Sequence, residues 1–201
     1  MKNKYSIGPL IPQYIERVAY IHRDSLPDDF LPNLGLDFLA NTFYPAALES
    51  KYGKAFVALE NEINPVGFIL VTLESGAFLK DIIKNHFWDF LKIGFRSSFS
   101  SISNLVFNLQ IVISGLFSNA SQNTGEIYII AVSEMARGKG VGSQLVKQAE
   151  TFMQECKIAA LGIKTLSSNK DWIGFFTKNG WEIKKELQLI GNDYVWLETH
   201  I

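Results

Sequence analysis

The 201-residue chain has a single cysteine, Cys156, so it can close no internal disulfide. A reducing compartment, the cytoplasm, is therefore the expected location. It has only three histidines, and no spacing of Cys, His, Asp and Glu matches a metal site, so no metal is expected. Surplus positive charge is also missing. Nineteen basic residues stand against twenty acidic ones, a net charge of −1. A nucleic-acid binder needs a basic excess to displace counterions, which argues against nucleic-acid partners. The start, Met1-Lys2-Asn3-Lys4-Tyr5, is basic but leads into polar residues and prolines instead of an apolar run, so no signal peptide is readable. Charge itself disappears between Arg96 and Glu126. A membrane-spanning helix needs ~20 mostly apolar residues. This stretch is instead studded with Ser97, Ser98, Ser100, Ser101, Ser103, Asn104, Asn108, Gln110 and Ser114, which favours a buried or partly exposed helix over a spanning one.

What is present suffices for a core, because apolar residues make up 47% of the chain. Tyr5 to Ile11 reads as a first strand, and Pro12 suits the first turn of a helix that carries Ile15, Val18, Ala19 and His22 at helical spacing. Leu26 to Gly35 reads as a loop. Leu36 to Ser50 reads as a second helix, with Pro45 expected to kink or split it. Ala55 to Glu60 and Val66 to Leu73 read as a hairpin around a turn-prone Asn61 to Pro65. Between about 76 and 120 a two-helix insertion is expected. Phe78, Leu79, Ile82, Ile83 and Phe87 form an apolar face on its first helix, and Ile102, Leu105, Val106 and Leu109 lie on its second. After a polar linker come a strand from Glu126 to Val132, a glycine-rich loop, a helix from Val141 to about Glu155 and a strand from Ala160 to Thr165. A short helix from Asn169 to Lys178, ending at Gly180, precedes two closing strands.

The loop, Ser133-Glu134-Met135-Ala136-Arg137-Gly138-Lys139-Gly140-Val141-Gly142-Ser143, joins a strand to a helix N-terminus. The first N–H groups of a helix lack internal partners and the dipole favours negative charge there, while glycines let backbone approach a phosphate. A pyrophosphate is the natural guest. A Walker A loop needs Lys-Ser/Thr after its last glycine, which is missing. A dinucleotide fingerprint counted from Gly138 meets Ser143 where its last glycine should be.

Arg137-x-x-Gly140-x-Gly142 instead resembles the Gln/Arg-x-x-Gly-x-Gly/Ala loop of the GNAT acetyltransferases. A second block, Asn169 to Trp181, resembles that family's Asn-x-x-Ala-x-x-x-Tyr-x-x-x-Gly-Phe, with Asn169 and Gly180 in place and Trp181 for the aromatic. The order of elements agrees too. The resemblance is to a bacterial branch with a helical insertion before the loop. It implies an α/β (α+β) fold in one domain over 1–201, with a mixed sheet of six to seven strands.

The resemblance also implies acetyl-CoA as cofactor, a small-molecule amine, such as an amino sugar, as acceptor, and direct attack of the amine on the thioester. Backbone from Arg137 through Gly138, Lys139, Gly140, Val141 and Gly142 to Ser143 would hold the pyrophosphate. Ala131 and Val132 would line the pantetheine arm, with the Val132 N–H on the thioester carbonyl. Asn169 would bond the cofactor, or simply cap its own helix. Glu126, six residues before Val132, aligns with the glutamate base of the histone acetyltransferase branch. The tyrosine that protonates the leaving thiolate in the family is replaced by Phe176, which the resemblance would still set against the cofactor, leaving water, Tyr128 or Tyr194 for that step. His22, beside Asp24, is a candidate for substrate contact, with helix-end packing as the alternative. Asp28 and Asp29 could attract a cationic amine. A non-catalytic acyl-CoA-binding module and a protein or peptide acetyltransferase are the competing readings. Docking of the insertion on a membrane is less favoured.

Overall fold

Seven strands hydrogen-bond in the order β1-β2-β3-β4-β5-β7-β6, antiparallel throughout except where β4 meets β5. The structure is a computed structural model and describes residues 4–27, 29–86, 123–189 and 192–201. The strands are β1 (Tyr5–Pro9), β2 (Gly53–Glu60), β3 (Asn64–Thr72), β4 (Thr124–Val132), β5 (Ala160–Leu166), β6 (Glu182–Leu189) and β7 (Asn192–His200). Seven strands meet the expectation of a mixed sheet. Of the two-helix insertion, only the first helix falls within the described residues. Phe87, the second stretch and the charge-free run up to residue 122 lie outside them. Among the described residues no helix is long and apolar enough to cross a membrane.

β3 sits at the centre of the larger half and is buried from Pro65 to Thr72, because both its faces are covered. One face packs against α6 (Val141–Glu155) and α7 (Lys170–Lys178), with Ile69, Val71, Ile127, Ile130 and Leu161 meeting Leu145, Ala149, Met153 and Phe176. The other packs against α1 (Ile15–Ser25), the helical run from Leu36 to Glu49 and α5 (Ser75–Asn85), with Phe68, Leu70, Ile129 and Ala131 meeting Val18, Phe43, Tyr44 and Phe78. Each such large side chain contributes roughly 1.5–3 kcal/mol on burial.

Local chemistry explains the helix boundaries. Pro12 opens a short 3-10 turn (Pro12–Tyr14) that leads into α1. The expected loop contains a short helix, α2 (Phe30–Asn33), and the next helix begins as α3 (Leu36–Phe38). Pro45 does not break the helical run. A π-turn over Leu39–Phe43 widens the helix just before α4 (Tyr44–Glu49), and the wider turn accommodates a residue with no N–H to give. α7 ends at Gly180, which adopts φ 85°. Gly180 N–H donates to Thr177 O and Trp181 N–H to Phe176 O, and the Trp181 ring lies 4.7 Å from that of Phe176, a complete glycine-terminated stop.

Candidate functional site

The parting of β4 from β5 organises the site. Their parallel ladder runs only from Thr124↔Ala160 to Ile127↔Ile163, after which β5 stays paired with β7 and β4 continues to Val132 paired, among the described residues, with β3 alone. The parting coincides with a bulge. On β3, Leu70 pairs with Ile129 and Val71 with Ile127, leaving Tyr128 as the extra residue. The bulge resets the side-chain alternation, so that Ile129 and Ala131 pack on the α1/α5 face together with Tyr128, and Ile130 and Val132 on the other. It also separates the backbone edges. Ser133 N–H donates to Val66 O at 2.8 Å, and Phe68↔Ala131 is the next hydrogen-bonded pair along that edge. Val132 and Ile130 therefore direct their N–H and C=O groups toward β5, into the gap. Ala131 bonds to β3, and its methyl is buried.

Directly after this free edge comes the glycine loop. A 3-10 turn over Glu134–Ala136 buries Ala136 and lifts the chain away from the sheet. Gly138 and Gly140 then adopt φ 71° and 78°. Gly140 is the N-cap of α6, a left-handed position that disfavours any residue with a Cβ, and no side chain caps the helix. The first intrahelical bond is Gln144 N–H to Gly140 O, so the N–H groups of Val141, Gly142 and Ser143 precede the internal ladder. The turn is open to solvent from Arg137 to Gly140, and a Cβ placed on Gly138 or Gly140 would meet nothing within 4 Å. Its two cations fold back on the backbone. Arg137 Nε donates to Val132 O at 3.0 Å, and Lys139 Nζ to Met135 O at 2.6 Å. Val132 O also accepts from Ser25 Oγ at 3.3 Å, which ties α1 to the end of β4. A cleft of about 210 Å3 opens here, lined by Arg17, Asp24, Ser25, Glu134 and Arg137.

At the other end of β4 lies a buried carboxylate. Glu126 is 5% exposed. Burial raises its pKa, while the Lys164 ammonium and a hydrogen bond from Ser75 lower it. Ser75 Oγ, at the start of α5, donates to Glu126 Oε2 and lies 2.7 Å from Thr72 Oγ1. Lys164 is the first residue of β5 beyond the ladder with β4. Ile163 packs on the α6/α7 face, so strand alternation turns Lys164 toward the face that holds Glu126. Tyr128 stands over the same pocket with its ring 5.3 Å from that of Phe78. Its phenol is held well above the ordinary range by burial, and further by the Glu126 carboxylate. One glycine makes the floor. A Cβ on Gly162, the β5 partner of Glu126, would lie 2.0 Å from Trp196 Cζ2, so only glycine admits that indole.

The remaining candidates are placed elsewhere. His22 is 1% exposed, with Tyr44 Oη 2.8 Å from its Nδ1 and the Phe68 ring against it. A ring so enclosed cannot touch a substrate, so the expected contact is corrected to core packing: α1 turns the His22 side of its stripe inward. Phe176 is 0% exposed, stacked on Trp172 and packed against Phe175 and Trp181. It too is core, where the family motif would set it beside the cofactor. Asn169 Oδ1 accepts from Trp172 N–H at 3.4 Å and caps α7, which leaves its amide nitrogen for other partners. Asp28 lies outside the described residues. Asp29 helps raise the Tyr194 phenol after burial, so the segment after α1 reaches the start of β7. Ser75, Thr72 and Lys164 do not stand out in the sequence. The polar start of α5, directly after an apolar strand, is their one local signal.

An open turn of left-handed glycines, unpaired helix N–H groups and a free strand edge facing a gap suit a diphosphate joined to an extended amide-bearing arm. Coenzyme A has that construction, and the residues fit it. The family model for the acetyltransferase (GNAT) family matches residues 16–181. The chain belongs to that family. It is an acetyl-CoA-dependent acetyltransferase of seven-stranded GNAT fold. Solved structures agree in fold. A spermidine N-acetyltransferase chimera from Vibrio cholerae superposes with a TM-score of 0.65 at 10% identity, over 98% of this chain and 96% of that one. A ribosomal-protein alanine N-acetyltransferase from Escherichia coli gives 0.61 at 11% identity, over 98% and 94%. A Bacillus anthracis protein named as a streptothricin acetyltransferase, in complex with acetyl coenzyme A, gives 0.52 at 16% identity, over 79% and 68%. No curated protein sequence matches this chain.

Proposed function

We propose that this GNAT acetyltransferase transfers the acetyl group to the primary amine of a small molecule, with Glu126 as the general base, in the cytoplasm and with all of 1–201 as one domain. The observation that carries the reading is a buried carboxylate on β4, at the point where β4 leaves β5, facing away from the helices beyond the glycine loop. Acetyl-CoA supplies the activated thioester. An amine is protonated at neutral pH and must lose a proton before it can attack. Burial raises the proton affinity of Glu126, which suits a base that must take that proton near neutrality. The Val132 N–H, directed into the gap, is an aimed donor for a carbonyl oxygen that becomes negative. N–H groups from Val141 to Ser143 hold the diphosphate, with Gly138 and Gly140 keeping backbone close to it.

The neutral net charge and the burial of Glu126 favour a small acceptor over a protein or peptide one. The structural relatives are named for spermidine, a ribosomal protein and streptothricin, so the fold alone chooses no acceptor. One observation favours a second reading, acyl-CoA binding without turnover: the family's tyrosine position is Phe176, which has no hydroxyl and is closed into the core. Incubation with acetyl-CoA and a panel of small amines, with release of free thiol as the readout, tests both. Turnover that Glu126→Gln reduces by about 10²–10⁴-fold supports the first reading. Tight acetyl-CoA binding by calorimetry with no turnover on any amine supports the second.

A further inference from the structure

Three polar side chains meet where β3, β4 and α5 converge, and all three are shut off from water. Thr72, Ser75 and Glu126 are 0%, 5% and 5% exposed. Buried polar groups persist where they satisfy one another, and here they form a chain. Thr72 and Glu126 are register partners across β3 and β4. Ser75, the first residue of α5, folds back over that pair, with its Oγ 2.7 Å from Thr72 Oγ1 and hydrogen-bonded to Glu126 Oε2. The direction of the chain is set by proton count. An ionised carboxylate only accepts, so the Ser75 hydroxyl donates its one hydrogen to Oε2, and the Thr72 hydroxyl then donates to Ser75. Oε1 has no hydrogen bond among the described residues. The first turn of α5, the positive end of that helix, also lies against the carboxylate.

We propose that Ser75 is a positioning residue for Glu126: its hydroxyl, oriented by Thr72, fixes Oε2 and so presents Oε1 to the acceptor amine. This rests on the reading of Glu126 as the base. It gives a role to the start of the helical segment between β3 and β4, which opens with Ser75. That helix begins with the residue that completes the base.

Among the described residues, the charged and polar groups facing Glu126 are Ser75 from α5, Thr72 from β3, Tyr128 from its own strand and Lys164 from β5. Burial raises the carboxyl, and Lys164 and Ser75 lower it. A base works when deprotonated, so kcat/KM rises with pH through its titration. Removing the Ser75 donor leaves Glu126 protonated to higher pH and moves that acid limb upward.

The test compares Ser75→Ala, Ser75→Thr and Thr72→Val in the full chain, with acetyl-CoA and the amine that turns over best. Ser75→Ala is expected to shift the acid limb to higher pH and to lower kcat/KM on that limb by about tenfold to a hundredfold, the range of a lost hydrogen bond to a charged group. Acetyl-CoA affinity by calorimetry stays unchanged. Ser75→Thr restores the profile. Thr72→Val, which keeps the Ser75 hydroxyl and the residue volume, shifts the limb in the same direction by less, and it reads the same effect if Ser75→Ala does not fold. In a Glu126→Gln background Ser75→Ala is expected to add no further loss. An unmoved limb in both Ser75→Ala and Thr72→Val, or an equal added loss in the Glu126→Gln background, overturns the proposal. Carbon NMR titration of labelled glutamate in the resting enzyme separates the two premises. If Glu126→Gln keeps full turnover, the base reading fails. The carboxyl titration still shows whether Ser75 holds Glu126, and an unchanged midpoint in Ser75→Ala refutes that hold.

Discussion

At the Val132 end of β4, the groups offered to a ligand are main-chain N–H groups, open to solvent and aimed by two left-handed glycines. At the Glu126 end they are side chains, closed off from water and held by residues from β3, α5 and β5. Nine residues of one strand join the two regions. The first recognises a cofactor through geometry that any side chain would spoil. The second does chemistry through side chains whose properties depend on their neighbours. The sequence pattern is informative in proportion. A glycine turn is a local constraint, written in consecutive residues, so Arg137 to Ser143 can be read before any fold is known. The base pocket is not local. Ser75 and Glu126 are 51 positions apart, and only the β3–β4 register brings them together.

The contrast breaks first, and hardest, at the base. Glu126→Gln is expected to lower kcat/KM by about 10²–10⁴-fold while leaving acetyl-CoA affinity intact, because general-base catalysis is removed and the glycine turn is untouched. Calorimetry alongside thiol release measures both. A parallel loss of cofactor binding would mean that the two ends of β4 are not separate.

A change at the other end should do the reverse, with a smaller effect. Gly140→Val forces a β-branched residue into φ 78° at the N-cap of α6. The left-handed conformation costs roughly 1–2 kcal/mol for a residue with a Cβ, or about 5–30-fold in an equilibrium constant. The acetyl-CoA dissociation constant should rise by that factor. With acetyl-CoA saturating, turnover should recover. Unchanged affinity would place the diphosphate somewhere other than this turn.

Between these lies Lys164, the residue where β5 leaves β4. Its ammonium lowers the Glu126 carboxyl against burial. Lys164→Met should therefore leave Glu126 protonated to higher pH and move the acid limb of kcat/KM upward, with the plateau reached at high pH unchanged. A drop in the plateau instead would give Lys164 a direct part in the reaction. The pH–rate profile decides between the two.

The legibility of the fold in the sequence divides along the same line. Element order, the strand–loop–helix unit and the helix from Val141 to Glu155 are set by apolar spacing and glycine position. The bulge at Tyr128 is not, because periodicity of two assigns Glu126, Tyr128, Ile130 and Val132 to one face, and only the β3 partner reveals the extra residue. A family motif points Phe176 at the cofactor, although Trp172, Ile173 and Phe176 already mark the apolar stripe of α7, and packing against Trp181 settles it as core. His22 misleads in the same way. Ile15, Val18, Ala19 and His22 keep the spacing of a buried stripe, and the imidazole draws attention away from the period.

His22 supplies the prediction with the smallest effect on turnover and a clear signature in stability. Burial lowers its pKa from 6.5 to about 4. Tyr44, whose hydroxyl burial keeps protonated, shares a hydrogen bond with Nδ1 of the neutral ring. The unfolded chain thus binds a proton near pH 6.5 that the native state refuses until about pH 4. The stabilisation is complete above the unfolded value and is lost as pH falls through this window, by about 3 kcal/mol in all. His22→Gln keeps a hydrogen-bond partner for Tyr44 but cannot titrate. Denaturant melts across the window should show the steep acid loss in the native protein and a flatter curve in the variant, with turnover at neutral pH unchanged. If turnover fell and the slope of stability with pH stayed the same, the imidazole would belong to the reaction after all, and the division between the two ends of β4 would have to include the core beneath them.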